Sequence, residues 1–301
     1  MKGWVILMCA VFWNLENCFD YKDNGTGSSD KEFSSFGERR WTREKFDKKV
    51  ALIGKTLLWC GLPEVVGLCE VENAGVLKRI CNSDLLRKCS YRYVHYDSAD
   101  PRGIDVALIY RESEMEVLES YPIHIRNDRG EKLATRDILY VCLQERASGE
   151  LWHFFVNHHP SKYSGSSSVV RRKAAMATLM CSVDSLLRSG CRNIVAMGDF
   201  NDIPYAESFS SSEGKLANMG KKLCEEDKDK GSIRYKGQWQ LIDNFLVSPQ
   251  VEEKMQMEVL MPPFLLVKDK EFPGVKPLRT YSGPRWLGGV SDHLPVRLNY
   301  K

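Results

Sequence analysis

Apolar residues in this chain fall into short runs and stripes separated by polar, Gly- and Pro-containing breaks, and their spacing predicts most of the regular elements. Residues 91–96, 104–110, 138–144 and 151–157 are bounded by Gly, Pro, Asp or Asn, as strands are. Residues 65–69, 194–197, 241–247 and 295–300 read as further strands, and residues 4–12 as a first one. Residues 259–267 predict another, interrupted by Pro262-Pro263. The period lengthens to 3.6 at Phe46, Val50, Ile53 and Leu57, which predicts a helix with Thr42 as its N-cap and Gly61 and Pro63 as its stop. Val76, Leu77 and Ile80 mark a second helix, and residues 169–187 a third.

Between these elements lie polar segments: residues 20–37, rich in Gly, Ser and Asp; residues 161–168; residues 208–232, whose charge run at 221–230 reads as solvated surface; and the Pro- and Gly-rich residues 268–289. No internal repeat and no dividing linker interrupts the pattern, so residues 1–301 are read as one domain. Strands at regular intervals with a few helices between them predict an α/β fold, two sheets packed face to face with helices outside.

Composition narrows the class. At 43% hydrophobic and 28% charged residues the chain is an ordinary globular protein, and a net charge of +3 allows a polyanionic partner without demanding one. The 10 cysteines include no Cys-x-x-Cys pair, which argues against a zinc knuckle or a thioredoxin-type centre, and their scatter favours a reducing compartment such as the cytoplasm. Lys2 followed by residues 4–12 also resembles a short signal peptide, but cleavage after Ala10 would cut the first strand apart. The strand reading is preferred, with export left open should the N-terminus be trimmed. No run is long and apolar enough to span a membrane.

Chemistry gathers at the ends of the predicted strands. Asp199 and Asn201, two apart in an extended segment, point the same way: a carboxylate able to take a proton from water, and an amide able to hold that water or a phosphate oxygen. Taken alone, Gly198-Asp199-Phe200-Asn201 fits equally well a strand end capped by an Asx turn, with Gly198 supplying a tight turn. Asn14 with Glu16, Glu70, His158 and Asp292-His293 also stand at strand ends, and Asp243 is a carboxylate in an apolar run. Glu16, Glu70 and Asp292 form an oxygen-rich set that suits magnesium or manganese better than zinc. Because magnesium takes only one or two carboxylates, Glu70 ranks first, Glu16 second and Asp292 third. His158 and His293 are candidates to stabilise or protonate a phosphate oxygen, with Asp243 able to fix the tautomer of His293 and favour its charged form. His159 and His153 have weaker claims, and the alternation places His153 outward.

Seven segments, Trp13-Asn14-Leu15-Glu16-Asn17, Gly67-Leu68-Cys69-Glu70-Val71-Glu72-Asn73, Arg102-Gly103-Ile104-Asp105-Val106-Ala107-Leu108-Ile109-Tyr110, Val156-Asn157-His158-His159-Pro160-Ser161-Lys162, Gly198-Asp199-Phe200-Asn201-Asp202, Ile242-Asp243 and Ser291-Asp292-His293-Leu294-Pro295-Val296, carry a resemblance. In this order they resemble the endonuclease/exonuclease/phosphatase superfamily, most nearly its bacterial members, over residues 11–298. Any one motif is weak; their shared order is specific. The resemblance implies a four-layer α/β sandwich of two mixed sheets, with the site at one edge, and metal-dependent hydrolysis of a phosphoester. It implies Glu70 as metal ligand, assisted by Glu16 and Asp292, and Asp199 as the group that activates or aligns water. It implies Asn14 and Asn201 as positioning amides, His158 and His293 as stabilisers of the transition state, and Asp243 as the residue that orients His293. His159 departs from the pattern, standing where close relatives often carry Trp.

Arg136, Lys162, Arg172 and Arg102 flank these motifs and are candidate phosphate contacts, each equally readable as surface charge. Trp239 and Trp286 suit stacking on a base or sugar, or core packing. The leading expectation is a magnesium-dependent nuclease, with manganese able to substitute. The alternative is a phosphatase or phosphodiesterase of a lipid headgroup or small phosphorylated metabolite. A binding protein that kept the fold and lost turnover is a third reading, disfavoured because a binder does not need the Asp199, Asn201, Asp243 and His293 set. No protein partner is implied.

Overall fold

The computed structural model describes residues 8–161 and 166–301. In chain order its elements are β1 Met8–Cys18, α1 Arg43–Trp59, β2 Val65–Val71, α2 Ala74–Cys81, β3 Tyr91–His95, β4 Asp105–Arg111, β5 Met115–Ile123, β6 Ile138–Glu145 and β7 Leu151–His158. They continue with α3 Ser166–Arg188, β8 Ile194–Asp199, β9 Ala217–Asn218, α4 Met219–Glu226, β10 Ile233–Tyr235, β11 Gln238–Gln240, β12 Asp243–Val247 and α5 Pro249–Glu252. The last are β13 Met255–Val259, β14 Leu266–Lys268, β15 Val275–Pro277, β16 Tyr281–Ser282, β17 Arg285–Trp286 and β18 Val296–Tyr300.

Two mixed sheets of six strands carry the fold, in the orders β13-β18-β1-β2-β4-β3 and β5-β6-β7-β8-β12-β9. Each is built around one parallel pair, β1 with β2 and β7 with β8, flanked by antiparallel neighbours. This pattern has a geometric consequence. The two strands of a parallel pair end at the same edge, and their antiparallel neighbours begin there. Asn14, Glu16, Glu70, His158 and Asp199 therefore leave their strands where Asp243 and the segment before β18 enter theirs.

Strand side chains alternate between two cores because both faces of the second sheet are covered. Leu139, Val141, Leu143, Phe154, Val156, Val195, Met197, Phe245 and Val247 join the first sheet in one cluster. Ile138, Tyr140, Phe155, Ala196 and Leu246 meet Met176, Leu179, Met180 and Val183 of α3 in the other. Each of those α3 side chains contributes about 1.5–3 kcal/mol by burial. On the other side, Phe46, Val50, Ile53 and Leu57 of α1 and Val76, Leu77 and Ile80 of α2 are buried with the first sheet, as their spacing predicts. Thr42 caps α1 by accepting from the Lys45 backbone N–H, and Gly61 beyond its end takes a left-handed φ of 85°.

The glycines of the central strands answer to close approach. Gly198 lies inside β8 with no left-handed φ, so the expected turn at this residue is not the reason for it. A Cβ there would sit 2.5 Å from the Asn157 carbonyl oxygen of neighbouring β7. A Cβ on Gly67 would instead meet the Met197 side-chain end at 2.8 Å, across the gap between the sheets. A thioether can swing aside and a strand backbone cannot. Gly198→Ala is therefore expected to lower stability by about 1–3 kcal/mol and Gly67→Ala by clearly less, compared by denaturant titration. Equal losses would refute the assignment.

Several elements differ from the sequence expectation. β5 has no counterpart in that expectation: it is an edge strand, exposed or half-buried at all but one position, and carries Pro122. The predicted strand at 259–267 is the end of β13, a 3-10 turn at Pro263–Leu265 and the start of β14. Residues 208–232 contain α4, and residues 268–289 contain the short strands β15, β16 and β17. His153 faces α3's side of the sheet and is buried, bonded through Nδ1 to the Tyr140 hydroxyl at 2.8 Å, so it does not face outward. All ten cysteines are free.

Candidate active site

Asp199 ends β8 nearly without solvent exposure. Its Oδ2 accepts from the Asn14 side-chain amide at 3.0 Å, and its Oδ1 accepts from the Asn201 backbone N–H at 2.9 Å. The second bond is an Asx turn: Asn201 takes a left-handed φ of 51° and donates its side-chain amide to the His159 carbonyl at 2.9 Å. The turn and the chemical site are thus one structure, because the turn aims the carboxylate.

Two imidazoles face that carboxylate. His293 Nε2 lies 3.9 Å and His158 Nε2 3.8 Å from Asp199 Oδ2, and His158 Nε2 is 3.9 Å from Glu70 Oε1. These gaps exceed a hydrogen bond, so each ring keeps a nitrogen directed at a shared space. Behind His293, Nδ1 is bonded at 2.7 Å to Oδ2 of Asp243, which is fully buried and pairs with Asp199 across β12 and β8. The Ser291-Asp292-His293 segment is fastened to β1: Trp13 Nε1 donates to the His293 carbonyl at 2.9 Å and the Ser291 hydroxyl to the Asn14 carbonyl at 2.6 Å.

Burial and charge set the protonation of these groups. Burial, then the neighbouring Asp243 charge, pushes Asp199 up to about 7, although His293 opposes the rise. Burial works against a charged His293, but Asp243, by charge and hydrogen bond, together with Asp199 and Asp292, overcomes it and holds the imidazole well above its ordinary value. His158 is driven the other way, by burial and then by the charges of Arg136 and Arg102. One imidazole is therefore protonated and the other neutral at physiological pH.

Glu70, Glu16 and Asp292 occupy the adjoining corner. Glu16, Asn17, Glu70 and Asn201 are four of the eight described non-glycine residues with left-handed φ, which concentrates backbone strain at this edge. β1 is irregular between Asn14 and Cys18, so Asn14 and Glu16 do not share one extended face; the Asn14 Oδ1 instead accepts from the Glu16 backbone N–H at 2.9 Å. Glu70 Oε2 accepts from the Asn17 backbone N–H at 2.8 Å. Glu16 Oε1 accepts from Arg279 Nε at 2.8 Å and Nη2 at 2.6 Å, and Arg279 Nη2 also lies 3.1 Å from Asp292 Oδ2. Burial and the Asp292 charge raise Glu16 to about 7, against Arg279 and Lys49. Lys49 is fully buried and donates to the Glu16 carbonyl at 2.6 Å and the Thr280 hydroxyl at 2.9 Å. Burial lowers its ammonium from its ordinary value, while Glu16, Glu70 and Asp292 all act to raise it, so the three carboxylates and this cation share one environment.

The flanking basic candidates are placed differently from one another. Arg136 is buried, donating from Nη1 to Asp100 Oδ2 at 2.8 Å and from Nη2 to the His158 and His159 carbonyls at 3.1 and 2.9 Å, so it holds the end of β7. Arg172 is buried too, and its Nε donates to Asp202 Oδ2 at 3.2 Å. Arg102 is partly exposed beside Asp100. Lys162 lies outside the described residues. His159 is buried edge-on against Phe200, ring centroids 4.9 Å apart, with burial and Arg136 lowering it to about 3. Trp239 and Trp286 are half-buried against the core, with Arg234 5.8 Å from the first ring and Lys48 5.1 Å from the second.

Arg279 and Lys49 escaped the sequence reading. Arg279 lies in the Pro/Gly-rich segment, where no periodicity marks a position. Lys49 did leave a signal: it stands three residues after Phe46 and four before Ile53, a charge on the apolar stripe of α1.

The donors present fit a hard cation. Glu70, Glu16 and Asp292 are oxygen donors, as such an ion takes; Glu16 and Asp292 meet at Arg279, and the Glu70 side chain is 13% exposed. By distance alone, among the described residues, Asp199 with Asp243 and His293, and His95 with Asp97 and Asp105, also have ligand atoms within 4.8 Å of one another and could hold a metal. Glu70, Glu16 and Asp292 do not close to that spacing.

Residues 9–301 match the family model described as the Endonuclease/Exonuclease/phosphatase family. No curated protein matches the chain in sequence. Among solved structures, the human Nocturnin catalytic domain with bound sulfate is similar at 17% identity and a TM-score of 0.63, covering 99% of this chain and 95% of that one. The mannosyl-6-phosphatase of Bacteroides thetaiotaomicron is similar at 16% identity and TM-score 0.62, covering 97% and 98%. Danio rerio TDP2 complexed with a single-strand DNA product is similar at 14% identity and TM-score 0.58, covering 98% of each chain. At these identities the likeness shows the fold.

Proposed function

This chain belongs to the endonuclease/exonuclease/phosphatase family, and from that premise we propose that it is a divalent-metal-dependent phosphoester hydrolase that cleaves phosphodiester bonds of nucleic acid. One observation carries the chemistry: a buried carboxylate, Asp199, faced by two imidazoles, His158 and His293, around one shared space. In this reading deprotonated Asp199 takes a proton from water. The water oxygen forms a bond to phosphorus, the ester P–O bond breaks, and the leaving oxygen takes a proton from solvent. His293 donates from Nε2 to a non-bridging oxygen, and His158 turns its Nε2 to the same group. Asn14 and the Asn201 turn hold Asp199 in line, and Asp243 keeps His293 charged. Arg136 and Arg172 position the ends of β7 and the following loop, Arg102, more exposed than either, contacts a substrate phosphate, and Lys162 is a further phosphate contact. A magnesium ion at Glu70, or manganese in its stead, would neutralise charge on the phosphate when bound.

The solved TDP2 complex with a DNA product supports a nucleic-acid substrate by analogy of fold. A second reading is favoured by a polar cavity of about 150 Å³ beside Glu16, lined by Phe33, Arg39, Arg279 and Tyr281. That is small against the ~300–1,000 Å³ of ordinary ligand pockets and suits one sugar or phosphate, as would serve a small phosphorylated metabolite or lipid headgroup. The test is one metal-supplemented assay of plasmid, single strands, RNA and small phosphoesters side by side. Nucleic-acid cleavage that weakens steeply with salt supports the nuclease; activity confined to small esters replaces it with the second reading. No hydrolysis anywhere refutes both.

A further inference from the structure

Glu16 and Asp292 face a cation that the chain itself supplies. Arg279 reaches Glu16 Oε1 with two nitrogens, at 2.8 and 2.6 Å, and Asp292 Oδ2 with one of the same two, at 3.1 Å. The remaining Glu16 oxygen accepts from the Thr280 backbone N–H at 3.1 Å. Arg279 is presented from a fixed backbone. Its carbonyl accepts from Gly289 at 3.1 Å, the Thr280 carbonyl from Leu287 at 2.9 Å, and the Leu278 carbonyl from Val290 at 3.1 Å. The Thr280 hydroxyl is bonded to Lys49 at 2.9 Å and to the Val290 carbonyl at 2.7 Å. A Cβ at Gly289 would lie 1.8 Å from the Leu278 carbonyl oxygen, so only glycine permits this approach.

We propose that Arg279 is a built-in cation filling the Glu16–Asp292 position, so that the chain binds one divalent ion, at Glu70, where two carboxylates more would otherwise invite a second. Magnesium requires its oxygens at about 2.0–2.1 Å in near-octahedral array. A planar guanidinium lodged between the two carboxylates occupies the space such an ion would take. Two of its nitrogens converge on one Glu16 oxygen while one of them also meets Asp292, so a single side chain engages both carboxylates. A divalent ion added beside Arg279 and buried Lys49 would face two positive charges at short range. The inference rests on the metal-dependent reading above and specifies its stoichiometry.

The experiment counts Mn²⁺ bound to the full chain by electron paramagnetic resonance, with affinity from calorimetry. The wild type is expected to bind one ion, and Glu70→Gln to weaken it by about tenfold or more, a loss of ~1.4 kcal/mol. Glu16→Gln and Asp292→Asn are expected to leave the count at one. Arg279→Ala uncovers both carboxylates and admits a second ion, whereas Arg279→Lys, which keeps the charge, does not. A wild-type count of two, or a folded Arg279→Ala protein still at one, overturns the proposal. Should Arg279→Ala fail to fold, the carboxylate variants decide: loss of the ion in either one overturns it, and an unchanged count in both upholds it. The count is read without turnover. A chain that binds one ion and hydrolyses nothing refutes the hydrolase and leaves Arg279's role standing. A count of two does the reverse, and a count of zero removes the metal from both.

Discussion

Asp199→Asn is expected to lower kcat by about 1,000-fold with KM nearly unchanged, within the ~100- to 10,000-fold span of a lost general base. The substitution preserves shape, so the loss reports proton transfer. In the wild type, activity should rise with pH through about 7, the value to which burial and Asp243 push Asp199, because only its deprotonated form accepts a proton. The same shift has a stability consequence with a definite sign. The carboxyl is raised in the fold above its ordinary 3.8, so its contribution is full at low pH and is lost as pH rises to about 7. Over that window the metal-free wild type should lose stability relative to Asp199→Asn at up to ~1.4 kcal/mol per pH unit, followed by denaturant titration from pH 5 to 8. The comparison is of slopes, so the hydrogen bond that Asn cannot make to one of its two donors, the Asn14 side chain or the Asn201 backbone, offsets the curves without changing it. Parallel curves, or an activity that survives the substitution, would remove Asp199 from the mechanism.

The second large effect belongs to the Asp243–His293 pair. His293→Ala should cost about 100- to 1,000-fold in kcat, the usual worth of a donor aimed at developing charge. Asp243→Asn is the more telling variant. In the wild type His293 keeps its proton well above the ordinary histidine range, so activity should fall only on the far alkaline side. Without the Asp243 charge, burial prevails and the ring loses its proton at lower pH. The alkaline limb of the kcat profile should therefore move down, with kcat near pH 8 reduced by about 100-fold and recovering partly toward acid. An alkaline limb that stays in place in Asp243→Asn would mean that another group titrates there. Folding stability follows the same sign: the raised His293 stabilises the fold most fully below the ordinary histidine value and less as pH climbs through its own.

What could be read from the chain was governed by burial on both sides. β1, β2, β4, β6, β7, β8 and β12 announce themselves because they are packed front and back and carry near-continuous apolar runs. β5 lies at a sheet edge, half in water, and leaves no such trace. The polar residues at the strand ends stood out for the same reason, since they break apolar runs where a core would not choose them. Arg279 had no such background, and its partners Glu16 and Asp292 are 263 and 13 positions away in the chain, a pairing that topology alone creates. Gly198 shows a subtler limit. Sequence marks a glycine, but only the pairing of β7 with β8 shows that it is a neighbour's carbonyl, and not a turn, that forbids a side chain.

The edge at which both parallel pairs end also bears on how the chain acquires its activity. Asn14 and Glu70 come from one sheet, His158, Asp199 and Asp243 from the other, and His293 from the segment entering the last strand. No contiguous fragment holds a working set, and docking of the two sheets over loops of high sequence separation is the slow kind of event. During refolding, turnover should therefore return only with the final docking phase, after backbone structure in each half has formed, so that a nascent or clipped chain is catalytically silent.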